Sequence, residues 1–157
     1  MRTFSPDEDK ARRAALDRRV ASAAAWLETN DGRLIIVKSD YKQYWSLPGG
    51  LVDAGETPLQ AVRREVAEEI GIDLPVESFE FRMVISRVSS NLGMSYQFVF
   101  RATIADSLLD TTRLQENEIE ELAYVSREEV HHNDRDFAEA IHAWATSQTG
   151  YAEHRLP

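Results

Sequence analysis

The sequence predicts an α/β domain in which mixed β-sheets are sandwiched between helices (α/β/α), and three observations support that expectation. Short apolar or alternating segments recur at residues 20–27, 34–37, 79–89, 94–104 and 122–125, with the length and spacing of strands. One amphipathic segment, marked by capping residues at both ends, interrupts them at residues 57–71. Two further helical segments follow the last strand. At 157 residues, 43% hydrophobic and 29% charged, the chain has the size and composition expected of one globular domain, 1–157.

Residues 5–19 are charged and alanine-rich. Ser5 as N-cap and Pro6 at the first helical position predict a helix there, an N-terminal extension spanning 1–19. Residues 20–27 read as an alanine-rich strand. Asn30-Asp31-Gly32 then marks a hairpin turn into the apolar strand 34–37. Residues 39–50 read as a loop ending in Leu47-Pro48-Gly49-Gly50.

Thr57 as N-cap, Pro58 at the first position and Gln60 completing a capping box open the clearest helix. Leu59, Val62, Val66 and Ile70 give it one apolar face, and Gly71 ends it in the left-handed conformation. Strands 79–89 and 94–104 are joined by Asn91-Leu92-Gly93. In the second, Tyr96, Phe98 and Phe100 alternate with Gln97, Val99 and Arg101, which makes one face aromatic. After strand 122–125, Ser126 and Glu129 form the capping box of a brief helix. Residues 134–147 read as a terminal helix with Phe137, Ile141 and Trp144 on one face.

The net charge of −9 repels a phosphate backbone and argues against duplex nucleic acid as a partner. A small phosphorylated ligand remains compatible if cations neutralise its site. With no cysteine, disulfides, thiol nucleophiles and thiolate metal sites are excluded, which fits a reducing compartment. The first residues contain acids and no apolar stretch, and no apolar run approaches membrane-spanning length. The expectation is a cytoplasmic chain without a membrane partner.

Glu65, Glu68 and Glu69 stand at i, i+3 and i+4 of the central helix, so their carboxylates share one face. Each like-charge helical pair costs about 0.2–0.5 kcal/mol. Clustered oxygens of this kind suit hard cations such as Mg²⁺ or Mn²⁺. Arg64, one turn before Glu68, is placed to neutralise part of the cluster. Taken alone, three glutamates equally describe the solvated face of a helix.

Their surroundings decide between the two. Gly50, Glu56, Arg64, Glu65, Glu68, Glu69 and Gly71 follow a fixed spacing: Gly, five residues, Glu, seven residues, Arg-Glu, an aliphatic, any residue, Glu-Glu, any residue, Gly, an aliphatic. Seven such positions coincide by chance in fewer than roughly one in a million sequences at ordinary residue frequencies. This is the pattern of the Nudix box, here residues 50–72, and the chain resembles the MutT-like Nudix hydrolases. Trp45-Ser46-Leu47-Pro48-Gly49 is similar to the family's usual approach to the box, and the element order from Val20 to the terminal helix is similar to the Nudix fold. Residues 1–19 lie outside the resemblance.

The resemblance implies a pyrophosphohydrolase that cuts the phosphoric anhydride of a small nucleotide with Mg²⁺ or Mn²⁺ as cofactor, in a family where homodimers are common. It implies that Glu65, Glu68 and Glu69 bind the metal, with the Gly49 carbonyl as a further oxygen ligand. Glu56, Arg64, Gly50 and Gly71 would shape the loop–helix–loop, and Arg64 has no lone pair with which to be a ligand. Gly50 also reads as a simple loop turn. Glu68 or a downstream acid would accept the proton of the attacking water.

For that acid, counting back from Tyr124 puts Glu118 first and Glu121 second within an acidic loop that also reads as merely solvated. Lys38, Tyr44 and Arg87 are candidate substrate contacts. Tyr41, Trp45, Arg18 and Arg19 are further ones, and each also reads as a surface or core-edge residue. His131, His132, His142 and His154 show no ligand spacing. The marks of coenzyme A, NADH, ADP-ribose and dinucleoside polyphosphate subfamilies are missing from their expected places. By elimination, MutT-like hydrolysis of a (deoxy)nucleoside triphosphate leads, with ADP-ribose, a nucleotide sugar or a dinucleoside polyphosphate next. The rival is a nucleotide-sensing module of the same fold that does not hydrolyse, against which stand the intact acidic positions.

Overall fold

Strand β1 (Val20–Thr29) is the axis of the fold, because it pairs along both edges and buries both faces. The computed structural model describes residues 4–16, 18–89, 93–116 and 118–155; the expected turn residues Asn91 and Leu92 lie outside them. One mixed sheet of seven strands forms: six run in the order β6-β2-β1-β5-β4-β7, and β3 pairs with β1 off this path. It comprises β2 (Leu34–Ser39), β3 (Gly49–Leu51), β4 (Glu80–Ser89), β5 (Gly93–Ile104), β6 (Ile119–Val125) and β7 (Gly150–Arg155). The β1–β5 and β4–β7 pairs are parallel and the others antiparallel.

Strand alternation divides the core into two layers. Ala23, Ala25 and Leu27 of β1, with Ile35 and Val37 of β2, pack against Ala61, Val62, Val66 and Ile70 of helix α2 (Pro58–Ile70). Ala24 and Trp26, with Leu34 and Ile36, pack on the other face against Val130 and against Ile141 and Trp144. Those residues come from α4 (Arg127–His132) and α5 (Glu139–Ala145). The result is an α/β/α sandwich, as the alternating pattern predicts. Each fully buried Val, Leu or Ile contributes roughly 1.5–3 kcal/mol, so these three helices are held by their apolar faces.

The capping signals lie where the sequence puts them. Ser5, Thr57 and Ser126 each cap a helix with a complete capping box, and Gly71 closes α2 at φ 72°. Elsewhere the structure differs. Helix α1 (Pro6–Ala14) ends before residue 19 and buries no residue, so no packing prolongs it. The terminal helix begins at Glu139 rather than 134, because the backbone at 136–138 bonds to Trp45: Trp45 N–H donates to Asp136 at 2.8 Å and Ala138 N–H to Trp45 at 2.9 Å. Strand β3 emerges from the expected loop, a short helix α3 (Asp106–Leu109) follows β5, and β7 adds a polar edge strand. No helix among the described residues is long and apolar enough to cross a membrane.

Candidate active site

The site begins where β1 and β2 part. Beyond their hairpin, residues 45–48 wedge between the two strands. Val37 and Ser46 exchange two backbone hydrogen bonds of 2.9 Å, and Ala25 N–H donates to the Pro48 carbonyl at 3.0 Å. Gly49 and Gly50 then pair with Ala24 and Ala23. Gly49 has φ 147°, and a Cβ there would overlap the Ala23 carbonyl oxygen, so the tight backbone approach requires glycine. This path aims the Gly49 N–H at Glu69, whose Oε2 accepts it at 2.8 Å.

Gly50 is more than a turn residue. A Cβ added to it would lie 2.5 Å from Glu65 Oε1, so the missing side chain is the space the Glu65 carboxylate occupies. The three acids of α2 therefore sit in a graded series. Glu69 is buried, the Glu65 side chain is 14% exposed and that of Glu68 is 51% exposed.

Arg64 binds the outer two together. Its Nη1 donates to Glu65 at 2.7 Å and to Glu68 at 3.0 Å, while Nε and Nη2 grip the two oxygens of Glu56 at 3.0 Å each. Nη2 also reaches the Leu51 carbonyl at 3.0 Å and lies 3.7 Å from Asp53. The Glu56 bonds, followed by those to Glu65 and Glu68, raise the guanidinium pKa despite burial. Arg64 in turn holds the Glu56 carboxyl below its ordinary value.

Glu65 and Glu69 shift the opposite way from Glu56. Burial pushes both carboxyls up, Glu69 to about 8, against the Gly49 hydrogen bond that favours its ionised form. Glu118 also raises both, and Lys42 lowers Glu69, so both charges lie within electrostatic range of the box acids. Glu118 is brought there by the end of α2: Arg113 N–H caps the Ile70 carbonyl and Gln115 N–H the Glu69 carbonyl, each at 2.9 Å.

The remaining candidates divide clearly. Glu121 pairs with Lys38 across β6 and β2 at 3.9 Å, so each engages the other rather than the box acids. Tyr44 and Tyr41 are exposed, the latter under Lys42 at 5.2 Å. Trp45 is buried in the core beneath Arg135, the core-edge alternative. Arg87 is ion-paired to Glu139 and donates to Gln97 at 2.6 Å, on the layer opposite α2. Arg18 and Arg19 are exposed ahead of β1, and His131, His132 and His142 are exposed as well. Lys42 and strand β3 are the features sequence reasoning missed.

Among the described residues, no three acids or histidines converge at metal-ligating distance, since Arg64 occupies Glu65 and Glu68. The donor set nonetheless suits a hard cation. It offers oxygens only, one carboxylate already desolvated, and a Cβ-free cradle at Gly50.

Comparison with known proteins bears on this arrangement. The family model described as NUDIX domain matches residues 17–145. The 8-oxo-dGTP diphosphatase of Haemophilus influenzae is 42% identical over 62 residues, 36% of this chain and 46% of that protein. The chain spans less than half the length of the first curated relatives it matches. Among solved structures, a MutT NUDIX hydrolase from Burkholderia pseudomallei superposes with TM-score 0.69 at 23% identity, covering 85% of this chain and all of that one. The NUDIX domain of Shewanella oneidensis NrtR, complexed with ADP ribose, gives 0.71 at 18% identity over 92% of this chain and 98% of that one. Both structural likenesses concern the fold.

Proposed function

Because this chain belongs to the NUDIX domain family, we propose that it hydrolyses the pyrophosphate linkage of a nucleoside diphosphate derivative, with (deoxy)nucleoside triphosphates as its first substrates. The observation that supports this most is the pairing of a buried Glu69, bonded to the Gly49 N–H, with a Glu65 that fits the space left by Gly50. A solvated acidic face needs neither. The Haemophilus influenzae relative, named an 8-oxo-dGTP diphosphatase, points to purine deoxynucleoside triphosphates within that class.

Nudix hydrolases generally use divalent metals. Glu65, Glu68, Glu69 and the Gly49 carbonyl would hold Mg²⁺ or Mn²⁺ here. Such an ion, when bound, offsets phosphate charge and acidifies water. The chain's own residues do the rest. Arg64, anchored on Glu56, sets where the Glu65 and Glu68 carboxylates stand. Glu118, within electrostatic range of the same acids, takes the proton of the attacking water. Lys42 places a cation within electrostatic range of Glu69, where a polyphosphate chain would gain from it.

A product-release assay across dNTPs, 8-oxo-dGTP, ADP-ribose, dinucleoside polyphosphates and NADH, with Mg²⁺ and Mn²⁺, tests the reading. Nucleoside triphosphates should rank first. Their ranking below ADP-ribose would replace the substrate, and tight nucleotide binding with no metal-stimulated turnover would make the domain a sensor instead.

A further inference from the structure

At the far end of β1, Trp26, Glu28, Arg82, Arg101, Arg127 and Trp144 line a cavity of about 170 Å³. Glu28 stands four residues beyond Ala24, about 13 Å along the strand from the Gly49 pairing. Trp26 and Trp144 belong to the core layer opposite α2. The cavity is therefore separate from the box in both position and layer.

One carboxylate here serves two guanidinium groups and an indole. Arg101 donates to Glu28 Oε2 through Nε at 2.7 Å and Nη2 at 2.5 Å, and Trp144 Nε1 donates to Oε1 at 2.7 Å. Arg127 lies 3.7 Å from Oε1, stacks 4.4 Å from the Trp144 ring centroid, and donates to the carbonyls of Trp144 and Ala145. Although burial pushes the Glu28 carboxyl up, the bonds from Arg101 and Trp144 hold it below its ordinary value. Glu28 is thus ionised and fully engaged. Arg82 is not: its Nη1 pairs with the exposed Glu80 at 3.1 Å, but its buried Nε has no hydrogen-bond partner.

Three guanidiniums against Glu28 leave the lining at +2, or +1 with Glu80 counted. In a chain of net charge −9, such an excess of positive charge in one cavity is not a by-product of composition. The volume is below the roughly 300 Å³ at which pockets for drug-sized ligands begin. It suits a tetrahedral oxyanion and excludes a nucleoside. We infer that this cavity is a second, non-catalytic site for a phosphate-sized oxyanion, with Arg101, Arg127 and Arg82 (which does not bond Glu28) supplying its positive charge. Inorganic phosphate, pyrophosphate and a nucleotide's phosphate share that chemistry.

The three tryptophans give the test its readout, since Trp26 and Trp144 line the cavity and Trp45 does not. Protein labelled with nitrogen-15 is titrated in EDTA, at constant ionic strength, with inorganic phosphate, pyrophosphate and AMP while the indole N–H resonances are followed. Phosphate or pyrophosphate should move Trp26 and Trp144 saturably and leave Trp45 in place. Arg82→Gln should weaken binding by about tenfold or more, the loss expected for one charge-assisted hydrogen bond. Glu69→Gln should leave it unchanged. AMP saturating equally well would make a nucleotide phosphate a ligand; AMP failing would restrict the site to free oxyanions. An unsaturable wild-type response, or an undiminished one in Arg82→Gln, would overturn the inference. Were Arg82→Gln to unfold, the wild-type titration with its Trp45 reference would still decide.

Discussion

Replacing Glu69 by glutamine should make the metal-free protein more stable in alkali and have little effect in acid. In the folded chain the Glu69 proton leaves at about 8, against an ordinary 4.5. The folded state therefore holds this proton across a window in which the unfolded state has lost it. By linkage, the advantage of the neutral acid is fully present below pH 4.5 and is lost as pH rises through 8. At about 1.4 kcal/mol per pH unit, the full cost of ionising this 3% exposed carboxyl is on the order of 5 kcal/mol. That is a large share of a domain's typical 5–15 kcal/mol. A glutamine at 69 keeps an oxygen for the Gly49 N–H and has no charge to bury. Urea unfolding in EDTA at a series of pH values between 5 and 9 should show the variant's advantage growing from near zero to several kcal/mol. Divalent ions should reverse the order, stabilising wild type increasingly with pH and leaving the variant unmoved, because ions that bind only the folded, ionised site stabilise by mass action. If wild type and variant keep a constant separation across this pH range, burial of Glu69 is not what sets its protonation and the reasoning fails.

Three further perturbations test other parts of the site. Gly50→Ala puts a methyl 2.5 Å from Glu65 Oε1 and should displace that carboxylate at little cost in stability, because the flexible end of the side chain gives way; metal-stimulated hydrolysis should fall at least ~100-fold, and retained activity would return Gly50 to a plain turn residue. Glu118→Gln should lower kcat with KM unchanged and flatten the pH–rate profile, whereas Glu121→Gln, removing only the exposed Lys38 partner, should leave both near wild type. Gly71→Ala forces a side chain into φ 72° with its Cβ 3.1 Å from the Arg113 backbone, and calorimetry should show a loss of about 1–2 kcal/mol.

What could be seen in the sequence depended on range. Thr57, Gln60 and Gly71 act within four residues of their partners, so the ends of α2 were legible, as was the Arg64–Glu68 pair one turn apart. Glu65, Glu68 and Glu69 shared a face by spacing alone, but their different burial comes from β3, which a Pro-Gly-Gly sequence of low strand propensity concealed. Strand β7 was hidden in the same way: its polar residues lie on an exposed edge and show no core-facing alternation. Arg87 looked like a phosphate contact because nothing local marked Glu139, 52 residues on, as its partner. Counting back from Tyr124 ranked Glu118 over Glu121, but their different surroundings show only in the structure, since pairing Lys38 with Glu121 and capping α2 with residues 113–115 are both long-range events.

The division of labour within α2 follows from these long-range contacts. Three carboxylates on one helical face repel one another, and the protein relieves this in two ways. The outer pair shares a guanidinium, which Glu56 and the Leu51 carbonyl hold from the preceding loop. The inner one is desolvated and keeps a proton or the Gly49 N–H instead. Both solutions are exchangeable: a guanidinium can release one oxygen of Glu65 or Glu68 while retaining its two bonds to Glu56, and the Glu69 proton leaves near neutral pH. A cation arriving at the box would therefore displace charges already poised to be given up, with no rearrangement of β3 or α2. A solvated acidic face would show neither the shared arginine nor the buried carboxyl. That contrast, rather than the number of acids, is why the helix reads as a site.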